Sequence, residues 1–355
     1  MSRQTDPNKI LVGMSGGLDS TITALLLKNA GYDVTGVTLH TWHEDPGCIN
    51  KTVEKAQITA QDLGIHHYTL DIRELFREEV VSHFFNEYMR GRTPNPCNRC
   101  NPRVKWPMLM KKADELDCRF IATGHYVRKA FNNGKWLIRK GIDPQKDQSY
   151  FLWNLDQIIL QRALFPLGEI TKEEVREIAR KEGYEQTARQ KESMGVCFLK
   201  DNDYRHFITK WAGANNIPIS PGLIVDKQGN KMGHHPGIPY FTIGQKRGLG
   251  LKNKKLAVNE IHAKSNQIVV SDDDSPAASD ISIKHYYLTI PLEKGQSRNV
   301  SIRIRGFDKF PPIPGTIKSN GQHLQVSFFK QANGLTPGQS LVFYENDLVL
   351  GGGIL

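Results

Sequence analysis

A short apolar run, a glycine-rich turn and a helix-forming stretch follow one another near the start of the chain and constrain its fold most. The run covers residues 9–14, the turn reads Ser15-Gly16-Gly17-Leu18-Asp19-Ser20, and the helical stretch covers residues 21–28. The first N–H groups of a helix have no partner within it, and glycines let an anion approach the backbone closely. Asp19 would repel phosphates unless a divalent cation lay between them, so the turn indicates a site for pyrophosphate and Mg²⁺.

The turn differs from the two best-known phosphate-binding loops. No lysine follows the glycines as it does in P-loop NTPases, and the spacing is not that of the dinucleotide-binding fingerprint. An ordinary strand-to-helix turn capped by serine and aspartate is the structural alternative. The turn resembles the pyrophosphate loop of the N-type ATP pyrophosphatases. This resemblance implies adenylation of a carbonyl oxygen, release of pyrophosphate, and displacement of AMP by a nucleophile.

Composition indicates a basic protein with more than one domain. The 355 residues exceed one ordinary domain, and a net charge of +10 favours a polyanionic partner. The sequence has no apolar run of about 18 residues and no apolar signal-peptide core near its start. Five cysteines, an odd number, favour reactive or ligating thiols in a reducing compartment over a disulfide framework. We therefore expect a cytoplasmic protein without membrane association.

Strand and helix patterns alternate along the first part of the chain. After the first strand we predict further strands at residues 34–39, 66–71 and 119–124, and helical segments at 53–63 and 72–89. Such alternation predicts an α/β fold with a doubly wound parallel sheet, which binds ligands at the carboxyl ends of its strands. Ser15, Leu39 and Gly124 lie at such ends.

The pattern changes after about residue 200. Glycine and proline are frequent between residues 218 and 250, and short strand patterns then recur at 281–288, 300–306, 315–319, 324–329 and 340–344. Short strands at near-even spacing predict a small β-barrel or sandwich. We predict a catalytic pyrophosphatase-like domain at residues 1–204, a small central domain at 205–277 and a C-terminal β-barrel at 278–355.

Three cysteines carry the predicted chemistry. Cys97 and Cys100 lie in the stretch from residue 91 to 101, and Cys197 follows Gly195-Val196. Neighbouring arginines are expected to lower the thiol pKa, and a thiolate is both a nucleophile and a metal ligand. One Cys-x-x-Cys pair is also typical of half a zinc site, but the chain has no second close pair. Cys48 and Cys118 stand alone and are predicted to be packed or incidental.

Several ordered motifs together resemble one family nearly end to end, the tRNA-specific 2-thiouridylases (MnmA/TrmU family). The motifs lie at residues 13–20, 93–96, 100–101, 123–126, 146–152, 195–198 and 240–249. The resemblance implies a PP-loop, HUP-like α/β domain, a small central domain and a tRNA-contacting barrel. It also implies an ATP site with Mg²⁺. The residues implied to bind the nucleotide are Gly13, Met14, Ser15, Gly16, Gly17, Leu18, Asp19, Ser20, Leu39 and Gly124.

The resemblance further implies a tRNA partner, with the wobble uridine of the tRNAs for Lys, Glu and Gln beside Asn95-Pro96-Cys97. The residues implied to contact tRNA are Asn95, Pro96, Cys97, His125, Lys146, Asp147, Gln148, Arg303, Arg305 and Gln339. The uridine O2 would attack the α-phosphate of ATP. Cys197 would carry a persulfide from a sulfur donor protein, and Cys100 would help deliver the sulfur to C2. Family members act mostly as monomers.

The sequence departs from the family at Cys97, where the usual motif has aspartate. A thiolate can act as a base, so the role is compatible with cysteine. Alternatively, Cys97, Cys100 and Cys197 bind three irons of a [4Fe–4S] cluster whose fourth iron carries sulfide. Two other classes stay open: an ATP-dependent amide-forming ligase of the same superfamily, which needs no cysteine trio, and a non-catalytic tRNA- or nucleotide-binding protein.

Overall fold

The chain divides into two compact units. The computed structural model describes residues 6–42, 51–190, 195–199, 203–251, 255–272, 278–306 and 311–355, so Cys48 lies outside the described residues. The first unit comprises residues 1–79, 97–194 and 346–350, and the second comprises 80–96, 195–345 and 351–355. The domain boundaries at residues 204 and 277 stay predictions.

The strands of the described residues are β1 (Asp6–Gly13), β2 (Asp33–His40), β3 (His66–Asp71), β4 (Cys118–Ala122), β5 (Val127–Asn132), β6 (Lys135–Lys140), β7 (Ala163–Leu164), β8 (Gly222–Val225), β9 (Lys231–His235), β10 (Ala257–His262), β11 (Gln267–Ser271), β12 (Ala278–Ile283), β13 (His285–Leu288), β14 (Ser297–Arg303), β15 (Ile313–Ser319), β16 (Leu324–Ala332), β17 (Ser340–Glu345) and β18 (Leu348–Ile354).

The α-helices of the same residues are α1 (Leu18–Asn29), α2 (Lys51–Asp62), α3 (Arg73–Phe76), α4 (His83–Met89), α5 (Pro96–Cys100), α6 (Trp106–Glu115), α7 (Gln157–Arg162), α8 (Lys172–Lys181), α9 (Glu185–Ala188) and α10 (Tyr204–Ala214). π-helical turns over Arg77–Ser82 and Asn101–Lys105 connect α3 to α4 and α5 to α6. In the part of the chain that the structure describes, no helix is both long and apolar enough to cross a membrane.

The first unit is built on a five-stranded parallel sheet in the order β3-β2-β1-β4-β7. Alternate residues of β1 point to opposite faces. Ile10 and Val12 belong to a buried cluster with residues of α1, α2 and α8, whereas a side chain at Gly13 would meet Leu109 of α6. Helices therefore cover both faces, and the predicted doubly wound α/β fold is confirmed.

A hairpin of β5 and β6 follows the fourth strand and was not predicted. The two strands pair antiparallel from Val127 and Lys140 to Asn132 and Lys135. Between them, Asn133 and Gly134 both have positive φ, the geometry that a two-residue hairpin turn favours. The Asn-Gly pair was the available sequence signal.

The second unit holds two sets of strands. Strands β10-β11-β8-β9 form one sheet, and β12-β16-β15-β14-β17 follow one another in a second, antiparallel set. The two sets of strands confirm the predicted fold classes, a small domain followed by a C-terminal antiparallel barrel-like sheet. The single strand predicted at 281–288 is instead two strands, because its pairing partner changes. Residues up to Ile283 pair with β16, and residues from His285 onward pair with β18.

Candidate active site

The turn between β1 and α1 is closed by its own hydroxyl groups. The backbone N–H of Ser15 donates to Ser20 Oγ at 3.1 Å, and Ser20 Oγ donates to the carbonyl oxygen of Gly17 at 3.0 Å. Ser20 is buried, whereas Ser15 is exposed. These two serines of the predicted nucleotide site therefore differ in exposure, and their Oγ atoms lie 3.3 Å apart.

Glycine is required at two positions of the predicted nucleotide site, because neighbouring backbone atoms leave no space there for a side chain. Gly16 has φ +67°, and a Cβ there would lie 2.6 Å from Lys55 Cβ and 2.7 Å from the backbone nitrogen of Ala56. A Cβ at Gly124 would lie 2.9 Å from the carbonyl carbon of Asp19. The structure thus brings the turn and Gly124 together at the carboxyl ends of adjacent parallel strands.

The predicted residue Leu39 is half-buried near the end of β2, the neighbour of β1. Two hydrogen bonds join β2 to the start of the turn. The N–H of Met14 donates to the carbonyl oxygen of Val37 at 2.8 Å, and Thr38 Oγ1 donates to the carbonyl oxygen of Met14 at 3.0 Å. Leu39 therefore follows directly on the residues that hold the turn.

The carboxylate of Asp19 is bound by two side chains that the sequence analysis did not assign to the nucleotide site. Tyr126 Oη donates to Asp19 Oδ1 at 2.7 Å, and Lys172 Nζ lies 2.6 Å from the same oxygen. The side chain of Lys172 is 7% exposed and that of Asp19 36%. A buried ammonium is costly unless an anion compensates it, so Asp19 and Lys172 stabilise each other.

Only part of this arrangement had a sequence signal. Tyr126 belongs to a motif that the family resemblance includes. Thr171 and Glu174 form a capping box that marks the start of α8, where Lys172 is the first residue. No local pattern links that helix to Asp19, which lies 153 residues earlier.

The segment from Lys146 to Leu152 connects this network to the cysteine helix. Gln148 Oε1 accepts from the backbone N–H of Tyr126 at 2.9 Å, and the N–H of Gln148 donates to the carbonyl oxygen of Tyr126 at 3.2 Å. Further along, Asn101 Nδ2 donates to the carbonyl oxygen of Phe151 at 3.0 Å. One segment therefore holds both the residue that binds Asp19 and the residue that follows Cys100.

Cys97 and Cys100 lie one turn apart on α5 and are half-buried. Burial raises the pKa of both thiols, to about 11 for Cys100, although the Lys105 ammonium acts in the opposite direction. The predicted lowering of the pKa at these two thiols is therefore wrong. Arg99, expected to supply positive charge, is paired with Glu79 at 2.8 Å.

Cys197 belongs to the second unit and its side chain is exposed. The next residue, Phe198, is buried against the rings of Phe84 and Phe207, with centroid distances of 5.1 and 5.2 Å. The turn that carries Cys197 is therefore anchored by its neighbour. The lone Cys118 is buried at the start of β4, as predicted.

The iron–sulfur cluster stays a prediction, because Cys97 and Cys100 belong to the first unit and Cys197 to the second. Among the residues that the structure describes, no group of three His, Cys, Asp or Glu side chains could hold a metal ion. Three thiolate ligands are the least that the predicted cluster requires.

Three of the predicted tRNA contacts in the first unit have intramolecular partners. His125 Nδ1 lies 2.7 Å from Thr123 Oγ1, and burial holds the pKa of the His125 imidazole well below its usual value. Buried Asp147 accepts from both the N–H and the hydroxyl of Ser149, at 3.1 and 2.9 Å. Gln148 holds Tyr126 as described above. Their tRNA contacts stay predictions, as does that of half-buried Lys146.

In the second unit, Gln339 contacts the segment that precedes Asn95 and Pro96. Gln339 Nε2 donates to the carbonyl oxygen of Thr93 at 2.8 Å, and the N–H of Thr93 donates to the carbonyl oxygen of Pro337 at 2.7 Å. The structure thus brings Gln339 to this predicted base-binding segment.

The two arginines predicted to contact tRNA also belong to the second unit. Arg303 ends β14, and Arg305 Nη2 lies 3.4 Å from the carbonyl oxygen of Gly334.

Comparison with known proteins covers almost the whole chain. Family models described as a tRNA methyl transferase HUP domain, a tRNA methyl transferase PRC-barrel domain and an aminomethyltransferase β-barrel domain match residues 8–201, 213–272 and 279–355. A tRNA-specific 2-thiouridylase MnmA 2 of Phocaeicola vulgatus is 41% identical over 99% of both chains. The chain belongs to the tRNA-specific 2-thiouridylase (MnmA) family.

Other members of the MnmA family match comparably. The protein from Caldanaerobacter subterraneus is 41% identical over 98% of both chains, and that from Amoebophilus asiaticus is 39% identical over 97% of this chain and 94% of its own. A solved structure described as U34-tRNA thiolase NcsA from Methanococcus maripaludis with its [4Fe-4S] cluster is 18% identical with a TM-score of 0.35, covering 60% of this chain and 68% of that one. Similarity at this level shows nothing about the role of the cysteines in this chain.

Replacing Gly16 by alanine should destabilise the protein more than the same change at Gly31. Both glycines have positive φ, but a Cβ at Gly31 would meet nothing within 4 Å. We expect Gly31→Ala to cost about 1 kcal/mol, and Gly16→Ala about 2 kcal/mol more because of overpacking. Thermal unfolding midpoints of the two variants and the wild type test this order. Equal midpoints for the two variants would contradict the close approach to α2.

Alkylation by iodoacetamide should distinguish Cys100 from Cys197. With a pKa of about 11, the Cys100 thiol should react about tenfold faster for each unit of pH up to that value. Exposed Cys197 should already be labelled at pH 8. Peptide mass spectrometry reads each cysteine separately, with urea-unfolded protein as the control. A rate at Cys100 that levels off below pH 9 would show that burial does not govern this thiol.

Proposed function

We propose that this protein is an ATP-dependent tRNA 2-thiouridylase that acts in the cytoplasm as a monomer on wobble-uridine tRNAs. The observation that carries the proposal is the segment from Lys146 to Leu152. Its hydrogen bonds join the Asp19 network of the turn to the helix of Cys97 and Cys100. A nucleotide-activating site and a thiol site built on one segment suit a reaction that couples adenylation to sulfur transfer.

The first step would activate the uridine. ATP would bind with its phosphates on the residue 13–20 turn, where N–H groups at the start of α1 face the anion. Asp19, whose carboxylate is partly exposed, is the residue suited to hold the Mg²⁺ that accompanies ATP. The uridine O2 attacks the α-phosphorus, the bond to the bridging oxygen breaks, and pyrophosphate leaves. The C2–O bond then has AMP as its leaving group.

The second step would deliver sulfur. Cys197, exposed on its anchored turn, is accessible to a donor protein and would receive a persulfide from it. The Cys100 thiol gives up its proton, and its sulfur attacks Cys197 Sγ. The persulfide bond then breaks, and sulfide leaves with the electron pair. Sulfide adds to C2 and AMP departs, while a thiol reductant returns two electrons to the resulting disulfide. Because burial favours the neutral thiol of Cys100, its proton has to be removed at that moment.

Cys97 would position the uracil as a neutral thiol. Burial raises the pKa of its thiol, which disfavours the thiolate base considered from the sequence. A protonated thiol is a weak hydrogen-bond donor, and its sulfur lies one bond from Cβ, whereas the carboxylate oxygens of the aspartate usual in the family lie two bonds from it. We propose that Asn95, Pro96 and Cys97 line the place of the target base.

The proposed tRNA contacts are charged and polar residues of the two units. They are Lys146, His125, Asp147 and Gln148 of the first unit and Arg303, Arg305 and Gln339 of the second. A net charge of +10 supports a polyanionic partner. The division into a catalytic domain, a central domain and a tRNA-contacting barrel belongs to the same proposal.

Two other functions are less well supported. An amide-forming ligase would use the nucleotide site but would not need the cysteines of α5. A non-catalytic binding protein would need neither the Asp19 network nor the cysteines that the Lys146–Leu152 segment joins. The family membership and the link to Asn101 both favour thiolation over these alternatives.

Replacing Cys197 by serine should abolish thiolation and leave adenylation. Anaerobic protein is given ATP, Mg²⁺, unmodified tRNA and a low-molecular-weight persulfide, and 2-thiouridine and pyrophosphate are both measured. We expect 2-thiouridine to fall more than about 100-fold because the sulfur carrier is lost, while pyrophosphate release continues. Cys118→Ala, a buried cysteine outside the site, is the matched control and should retain thiolation.

The same assay is run with and without iron reconstitution. Product formed only after iron is supplied would contradict the persulfide route. Full activity of Cys197→Ser without iron would contradict the proposed role of this residue.

Replacing Cys97 by aspartate should retain thiolation, whereas Cys97→Ala should lower it about tenfold or more because the hydrogen-bonding group is lost. Rates of 2-thiouridine formation at saturating ATP, with KM for tRNA measured in parallel, test this. Equal rates for Cys97→Ala and the wild type would remove Cys97 from the base site.

A further inference from the structure

We propose that Lys172 is a further catalytic residue, a ligand of the pyrophosphate leaving group that Asp19 holds in place until the nucleotide binds. This inference rests on the proposed adenylation. It concerns a residue on α8, outside the turn and outside every motif that the sequence analysis singled out.

Charge is the first reason. The turn must accept a polyphosphate, yet residues 13–20 contain no lysine or arginine and include one carboxylate, Asp19. The cation that the structure pairs with this carboxylate is Lys172, with Nζ 2.6 Å from Oδ1. The ammonium also lies 5.5 Å from the centre of the Tyr126 ring. A positive charge is therefore already present beside the anion site.

The fixed backbone of Lys172 is the second reason. Its N–H donates to Asp143 Oδ2 at 3.0 Å, and the capping box of Thr171 and Glu174 sets the start of α8. Only the four-carbon side chain is left to move, and rotation about its bonds can carry Nζ from the carboxylate to a nearby phosphate oxygen. Tyr126 Oη, which also binds Asp19, would continue to hold the carboxylate.

The chemistry needs such a group. Attack on the α-phosphorus breaks its bond to the bridging oxygen, and the electron pair of that bond goes to pyrophosphate. An ammonium that contacts this oxygen or the β-phosphate stabilises the charge as it grows, and it is most effective where solvent is excluded. The side chain of Lys172 is 7% exposed. When ATP binds, Asp19 would release Lys172 and bind the cation that accompanies ATP. The Asp19 carboxylate and the phosphates would then each keep a positively charged partner.

Calorimetric binding of inorganic pyrophosphate tests the inference without turnover. In the presence of Mg²⁺, Lys172→Met should weaken pyrophosphate binding about 30-fold and AMP binding less than about 3-fold, because one charge-assisted contact to the leaving group is lost. Lys129→Met is the matched control: this half-buried lysine of the same unit donates to the carbonyl oxygen of Leu160 at 3.0 Å. Its loss should change neither affinity.

A double-mutant cycle without divalent cations separates a phosphate ligand from a structural ion pair. Asp19→Asn should bind pyrophosphate about tenfold more tightly than the wild type, because Lys172 is no longer engaged by the carboxylate. This gain should disappear in the double variant Asp19→Asn/Lys172→Met. Because both charges are removed together, the double variant leaves neither a carboxylate nor an ammonium without its partner. A gain retained in the double variant would mean simple relief of repulsion and would overturn the inference.

Turnover provides the last readout. Lys172→Met should lower kcat for pyrophosphate release more than it raises KM for ATP, and Lys172→Arg should recover part of kcat. If the wild type binds pyrophosphate and ATP but Lys172→Met binds pyrophosphate equally well, the inference fails and the proposed function stands. If the wild type binds neither ligand, both fail. Unfolding midpoints of all variants identify a loss caused by misfolding.

Discussion

The hydrogen bond from Tyr126 to Asp19 is the interaction on which the rest of the site depends. Gln148 holds the Tyr126 backbone on one side, and Lys172 shares the Asp19 oxygen on the other. Gly124, directly before this region, lies so close to Asp19 that a side chain would not fit. The turn, the loop after β4, the Lys146–Leu152 segment and the start of α8 are therefore held in one geometry. The proposed anion site consists of backbone N–H groups and would need such support, because these groups have no side chains that could adjust to the ligand.

Burial and charge compete at the cysteines, and burial prevails. Both thiols of α5 are surrounded by protein, so the cost of desolvating a thiolate exceeds the attraction of Lys105. Arg99 adds little because Glu79 neutralises it. Cys197, in contrast, is exposed while Phe198 holds its turn in an aromatic cluster. In the proposed sulfur relay, the exposed thiol would receive sulfur from a donor protein, and the buried thiol would be protected from reaction until it is needed.

Much of the architecture follows from local patterns. The strands at residues 34–39 and 66–71 were predicted within one residue at either end, because continuous apolar or alternating runs between turn residues are local signals. The hairpin of β5 and β6 was missed although Asn133-Gly134 marks its turn, since its strands are partly exposed and lack a strong apolar pattern. The strand predicted at 281–288 is divided because its partner changes from β16 to β18, and pairing partners are not encoded in the strand itself.

By itself, the sequence determined the α/β class and the family, because each is expressed in residue types at short spacing, and the same patterns predict the anion turn and the three reactive cysteines. Tertiary structure alone decided which groups meet. Lys172 reaches Asp19 across 153 residues, and the sequence pattern around either residue carries no trace of the other. The same holds for the pKa of Cys100, since the number of protein atoms around a thiol depends on how distant segments pack. Ionisation and ion pairing respond to three-dimensional distance and desolvation, neither of which is a property of neighbouring residues along the chain.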